Sequence, residues 1–114
     1  MMLDWNDYQT QLKAAMTEVA HLNPEIIRGY RGLSEAGAKT GLLDPKTKEL
    51  IAIAVGVTRQ CDGCIVTHVD AAMKHGATKE EITEALSVAI TVNAGAALVY
   101  STRALDAFKA KSST

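Results

Sequence analysis

Aromatic side chains are scarce in this sequence: one Trp, three Tyr and one Phe make up 4% of 114 residues, although 47% of the chain is hydrophobic. Any core must therefore be built from Ala, Val, Ile and Leu, which favours closely packed helices, shared between subunits where one chain cannot cover them. No window alternates apolar and polar residues between turn signals, so strands are not expected. Nor is there an excess of positive charge, with 12 Lys and Arg against 13 Asp and Glu and a net charge of −1. Without a basic field to hold a phosphate backbone, nucleic acid is not an expected partner. The opening Met1-Met2-Leu3-Asp4-Trp5 lacks a positive segment followed by an apolar run, so no secretory signal is read and a cytoplasmic location is expected. The longest uncharged stretch, residues 85–102, approaches a membrane span in length, but Ser87, Thr91, Asn93, Ser101 and Thr102 interrupt it. It reads as a buried helix, such as one in a subunit interface, and not as a membrane segment.

Cysteine is also scarce. There are two, Cys61 and Cys64, with two residues between them. In a reducing compartment such a pair rarely forms a permanent structural bridge, which leaves redox chemistry or metal binding.

What is present is helix punctuation. The length fits a single domain, 1–114, and the pattern predicts an all-α compact bundle of about five or six helices. A first helix from about Asp4 to Ala20 places Trp5, Tyr8, Leu12, Met16 and Val19 on one stripe. Asn23-Pro24-Glu25 supplies an N-cap, a first-turn proline and an early acid for a second helix to about Ala38, with Gly37 and Gly41 marking its end. Asp44-Pro45 repeats that start before Leu50 to Val57, which is apolar all round, as in a helix at the centre of a bundle. The next helix begins near Cys61 and stops at His75-Gly76. Thr78-Lys79-Glu80-Glu81 reads as a capping box for a last helix that either continues to about Phe108 or breaks near Asn93-Ala94-Gly95. The polar tail from Lys109 to Thr114 is expected to fray. Gly95 among alanines reads as a site of close helix packing, and Lys39, Lys46 and Lys48 as a solvated face.

Chemistry concentrates in Glu49, Cys61-Asp62-Gly63-Cys64 and His68. At about 100° per residue, Cys64 and His68 differ by about 40° and stand one turn apart on the same helix edge. Cys61 shares that edge, and both sulfurs fall in the first turn, where free backbone N–H groups and the helix dipole favour a thiolate. Ile65, Val69, Ala72 and Met73 make an adjoining apolar arc, with Asp70 and Lys74 opposite, so the thiols sit at the boundary of the core. Glu49 shares its face with Ala52, Ile53 and Gly56, and a carboxylate there needs a partner. His68 is the natural one, because a carboxylate that holds one ring nitrogen leaves the other free to exchange a proton. His21 and His75 lie near helix ends, where imidazoles meet terminal carbonyls, and receive no chemical role.

Glu49, an interval of twelve, Cys-x-x-Cys and then x-x-x-His resembles the core motif of alkyl hydroperoxidase D-like proteins of the carboxymuconolactone decarboxylase superfamily. The Pro-start before an apolar helix, the text His75-Gly76-Ala77-Thr78-x-Glu80-Glu81-Ile82 and a final helix rich in small residues extend the likeness over about residues 20–108. The resemblance implies a peroxidatic Cys64, a resolving Cys61 and a proton relay through His68 and Glu49. It also implies a small hydroperoxide as substrate, an external dithiol as reductant, of thioredoxin-like or lipoyl type, and a homo-oligomer, either a trimer or a hexamer of trimers. No bound cofactor and no metal are implied. Zinc would find three ligands in the two thiolates and His68, but a closed site commonly takes four. One departure is Gly63, where peroxidases of this group can carry a second histidine. A redox sensor or a disulfide-exchange protein is therefore the alternative. A decarboxylase, after which the superfamily is named, has no call for a dithiol.

Overall fold

The computed structural model describes residues 1–113, and among them the chain folds into five helices with no strand. Four of the five helices start at a side-chain cap, the second being the exception. Asp4 caps α1 (Trp5–Leu22) by accepting the Asp7 N–H at 3.1 Å. Helix α2 (Pro24–Thr40) follows directly, but Asn23 does not cap it through its side chain as expected; the Asn23 N–H instead closes α1 on the Val19 carbonyl at 2.8 Å. Helix α2 ends at Gly41, whose φ of 69° is the left-handed conformation suited to glycine, while Gly37 lies inside the helix and ends nothing. Asp44 caps α3 (Pro45–Thr58) by accepting the Thr47 N–H at 2.8 Å. Helix α4 (Asp62–Lys74) closes at Gly76, where the N–H groups of Gly76 and Ala77 turn back to the carbonyls of Met73 and Ala72.

Helix α5 (Lys79–Ser112) opens with the expected capping box, Thr78 and Glu81 each bonding the other's backbone N–H. It then runs without a break through Asn93 and Gly95. Asn93 Nδ2 reaches back to the Ala89 carbonyl at 2.7 Å and across to Thr58 Oγ1 at 2.9 Å, so an amide that competes with helix elsewhere is satisfied within it. The expected fraying from Lys109 is also replaced by helix, since Lys109 and Lys111 in the last turn complement the dipole; Thr114 lies outside the described residues.

Helices α3 and α4 form the central antiparallel pair, with α5 against α3 and α1 against α4; α2 packs on α1. The buried apolar side chains are Ile53, Val66, Ala72 and Ala89, all within the α3, α4 and α5 group. The expectation that residues 50–57 are covered on all sides is corrected: Ile53 and Gly56 are buried, but Ile51, Val55 and Val57 face outward. Gly95 likewise has no atom near enough to be met by an added Cβ within this chain. The lysine cluster is more than a solvated face. Lys48 Nζ donates to the Gly37 carbonyl at 3.0 Å, and Lys46 Nζ holds Glu81 Oε2 at 2.7 Å, joining the starts of α3 and α5.

These ties give an expected acid response. Hydrogen bonds from Lys46 and from the Thr78 backbone hold the Glu81 carboxyl below its ordinary range, the Thr47 backbone does the same for Asp44, and Gln9 and Lys74 do so for Asp70. A carboxyl lowered in the folded state adds stability above its unfolded pKa and loses it as pH falls through the folded value. Thermal stability should therefore be level from neutrality to the ordinary carboxylate range and fall below about pH 4. Hydrogen exchange should show the starts of α3 and α5 opening first. Uniform opening, or a fall that begins near neutrality, would contradict this.

The α3–α4 turn stores strain. Gln60 adopts φ 53°, a left-handed conformation normally left to glycine, with its N–H on the Val57 carbonyl and that of Cys61 on the Gly56 carbonyl, both at 3.0 Å. Left-handed backbone costs a side-chain-bearing residue roughly 1–2 kcal/mol, while glycine loses roughly 0.5–1 kcal/mol in extra chain entropy. Gln60→Gly should stabilise the chain by about 0.5–1 kcal/mol, seen as a higher urea midpoint with unchanged slope.

Candidate active site

The same turn places the first sulfur. Cys61 is at once the residue that closes α3 and the N-cap of α4, its Sγ accepting the Cys64 N–H at 3.1 Å. The two cysteines are joined as a disulfide, with Cα atoms 5.3 Å apart, and both are half-buried at the edge of the core. One turn further on, His68 Nδ1 meets Glu49 Oε2 of α3 at 2.7 Å, with both side chains about a quarter to a third exposed. A carboxylate only accepts, so a carboxylate Glu49 assigns the proton to Nδ1 and leaves Nε2 as the free ring nitrogen. The four residues singled out from the sequence are thus held on facing edges of α3 and α4. Lys46, the other conceivable partner of Glu49, is engaged by Glu81.

Cys61, Cys64 and His68 form the floor of an open groove of about 360 Å³. Its walls are apolar: Leu12, Met16 and Val19 come from α1, and Ile26, Ile27 and Tyr30 from α2. Here the α1 stripe finds its purpose, since Leu12 also rests on Gly63, where an added Cβ would stand 3.0 Å from Leu12 Cδ2. A side chain at position 63 would require the end of the Leu12 side chain to give way. Gln9 Nε2 fixes the same helix to Asp70 at 3.1 Å. Among the described residues, no three His, Cys, Asp or Glu side chains are grouped as metal ligands. His21 lies in the last turn of α1 and His75 caps α4, each outside the groove.

Two residues of the site escaped the sequence analysis. Leu12 was assigned only to a packing stripe, and nothing local says which helix it meets. Gly56 is the more telling case. It is a buried glycine inside an apolar helix, where it costs about 1 kcal/mol relative to alanine, and that cost is itself a signal of close approach.

An all-helical chain with a Cys-x-x-Cys disulfide at a helix entry, flanked by a His–Glu pair, defines a class of dithiol proteins. Comparison places it more narrowly: residues 24–107 match the carboxymuconolactone decarboxylase family, and the chain belongs to that family. An uncharacterized protein of Haemophilus influenzae is 41% identical over 108 residues, 95% of this chain and 96% of that one. "Uncharacterized protein 4 in cox locus" of Paracoccus denitrificans is 41% identical over 92 residues, 81% of this chain and 83% of its own length. Among solved structures, a carboxymuconolactone decarboxylase family protein from Legionella pneumophila superposes with a TM-score of 0.73 at 37% identity, covering 92% of this chain and 94% of that one. A Methanobacterium thermoautotrophicum protein gives a TM-score of 0.69 at 30% identity, over 75% of this chain and 96% of that chain. The likeness read from the motif thus holds for family and for fold.

Proposed function

We propose that this chain is a thiol-dependent peroxidase that reduces hydroperoxides with the Cys61–Cys64 dithiol. The observation that carries the reading is the pair of cysteines already within bonding reach on the floor of a groove that His68, held by Glu49, also lines. In the reduced state His68 Nε2 takes the Cys64 thiol proton, and the resulting thiolate attacks the terminal oxygen of the hydroperoxide. The O–O bond breaks, Cys64 becomes a sulfenic acid, and the alkoxide leaves with a proton from the imidazole. The Cys61 thiol then attacks the Cys64 sulfur, which releases water and closes the disulfide. An external dithiol, of thioredoxin-like or lipoyl type, returns two electrons and two protons to reopen it. No bound cofactor enters this cycle. We place it in the cytoplasm, where such reductants keep thiols reduced, and in a homo-oligomer, either a trimer or a hexamer.

A second reading, as a redox sensor or disulfide-exchange protein, rests on Gly63. At the position where related peroxidases can carry a second histidine, this chain has a glycine with the Leu12 side chain seated against it. One measurement separates the two readings. Free thiols are titrated in the reduced protein before and after substoichiometric peroxide. The peroxidase consumes two thiols per peroxide within seconds and turns over once an external dithiol is supplied. Thiols that persist through peroxide but exchange readily with a disulfide would replace the peroxidase reading with the second one.

A further inference from the structure

Gly56 touches both cysteines. Its carbonyl accepts the Cys61 N–H at 3.0 Å, and a Cβ built on it would stand 3.0 Å from the Cys64 Cβ and 3.7 Å from the Cys64 backbone carbon. Carbon atoms that are not bonded settle at about 3.5–4.0 Å, so any side chain at position 56 would push the first turn of α4 away from α3. Seven residues earlier on the same helix, Glu49 holds His68. Helix α3 therefore carries two fixtures for the reactive edge of α4, a carboxylate for the imidazole and a bare Cα for the sulfur pair.

We infer that Gly56 is a positioning residue of the dithiol: by letting Cys64 lie directly on α3 while its own carbonyl anchors Cys61, it sets the balance between dithiol and disulfide. The inference rests on the reading that the two cysteines cycle, and is independent of whether a peroxide is the oxidant. The disulfide closes a ring through both residues, and that ring is attached to Gly56 at each end, by a hydrogen bond at Cys61 and by van der Waals contact at Cys64. A methyl group on residue 56 must move Cys64 while the ring holds it to Cys61. In the dithiol the α4 backbone at Cys64, and its Cβ with it, shifts without pulling on the Cys61 sulfur. The methyl group thus raises the disulfide in energy more than it raises the dithiol.

The test equilibrates the full chain with glutathione buffers of graded ratio, quenches with an alkylating reagent and reads the mass. The reaction is disulfide plus two glutathione thiols giving two protein thiols plus glutathione disulfide, a two-electron, two-proton exchange. Gly56→Ala is expected to move this equilibrium toward the dithiol by at least tenfold, about 30 mV. Ile53→Val, which trims the buried core side chain of α3, is the control for mere destabilisation and should shift it less than threefold. A Gly56→Ala shift below threefold, or one matched by Ile53→Val, overturns the inference. If Gly56→Ala does not fold, the comparison is repeated in the Gln60→Gly background. Failure to fold there as well would make Gly56 a packing residue only and would also overturn it. A wild-type chain that never titrates as a reversible couple would instead remove the cycling itself, a result distinct from a couple that titrates but ignores residue 56.

Discussion

Cys64→Ser should lose the fast reaction with peroxide by at least about a thousandfold, whereas Cys61→Ser should react once at nearly the wild-type rate and then stall. The asymmetry follows from place. Cys64 stands one turn before His68 on the same edge of α4, while Cys61 occupies the N-cap, where its sulfur already meets the backbone of residue 64. Serine is itself a favoured N-cap, so Cys61→Ser should keep the start of α4 intact, and its defect would be chemical. Without Cys61, the sulfenic acid on Cys64 has no thiol to condense with. It should be captured by a sulfenic-acid trap and, with excess peroxide, advance to the sulfinic acid. His68→Ala should slow the first step by about a hundredfold and move its pH–rate profile to higher pH, since hydroxide must then generate the thiolate. Glu49→Gln should do less harm, because the amide oxygen still accepts from Nδ1. Mass spectrometry after one equivalent of peroxide decides the assignment. Sulfenic acid on Cys61 in the Cys64→Ser protein, formed at the wild-type rate, would reverse the two roles.

The parts of this site legible in the sequence are those governed by neighbours within about one helical turn. Asp44 with Thr47, Thr78 with Glu81, and Gly76 after α4 are each closed by hydrogen bonds over three to five residues, and they define where helices start and stop. The alignment of Cys64 with His68 is likewise a matter of helix pitch. Pairing Glu49 with His68 needed one further step, that a carboxylate on an apolar face must find a partner. Contacts between helices carry no local sign of the partner, even where a buried glycine such as Gly56 signals that something comes close. That Leu12 seats on Gly63, that α2 leans on α1, and that Cys64 lies on Gly56 depend on how whole helix faces meet. The unbroken course of α5 was hidden for a similar reason, since Thr58, the cross-helix partner of Asn93, is 35 residues away in the chain.

In solution the chain should not remain a monomer. A folded monomer of 12.1 kDa exposes about 6,000 Å² and has a radius of gyration of about 13 Å, yet this chain exposes 9108 Å² and reaches 19.0 Å. The surplus, about 3,000 Å², is of the size buried in obligate interfaces. Much of it is apolar. Val88 and Val92 of α5 are each more than half exposed and, with Ile51 and Val55 of α3, line a groove between the two helices; Leu98, Val99, Leu105 and Phe108 continue the exposed apolar surface along α5. By length and composition α5 would also suffice to cross a membrane, so association and membrane insertion make opposing forecasts for the same helix. Placing a carboxylate in the groove discriminates between association and a true monomer. Val92→Asp leaves the buried core of the single chain untouched, but in an interface it would exchange a buried valine for a charge, costing about 3 kcal/mol per contact and lowering association more than a hundredfold. Light scattering on the wild type should give a mass of three or six chains that Val92→Asp reduces, and the melting temperature of the variant should become concentration-dependent. A dilute wild-type chain that stays at 12.1 kDa with unchanged stability would refute the oligomer, and wild-type protein sedimenting with lipid vesicles would assign the apolar face to a bilayer instead.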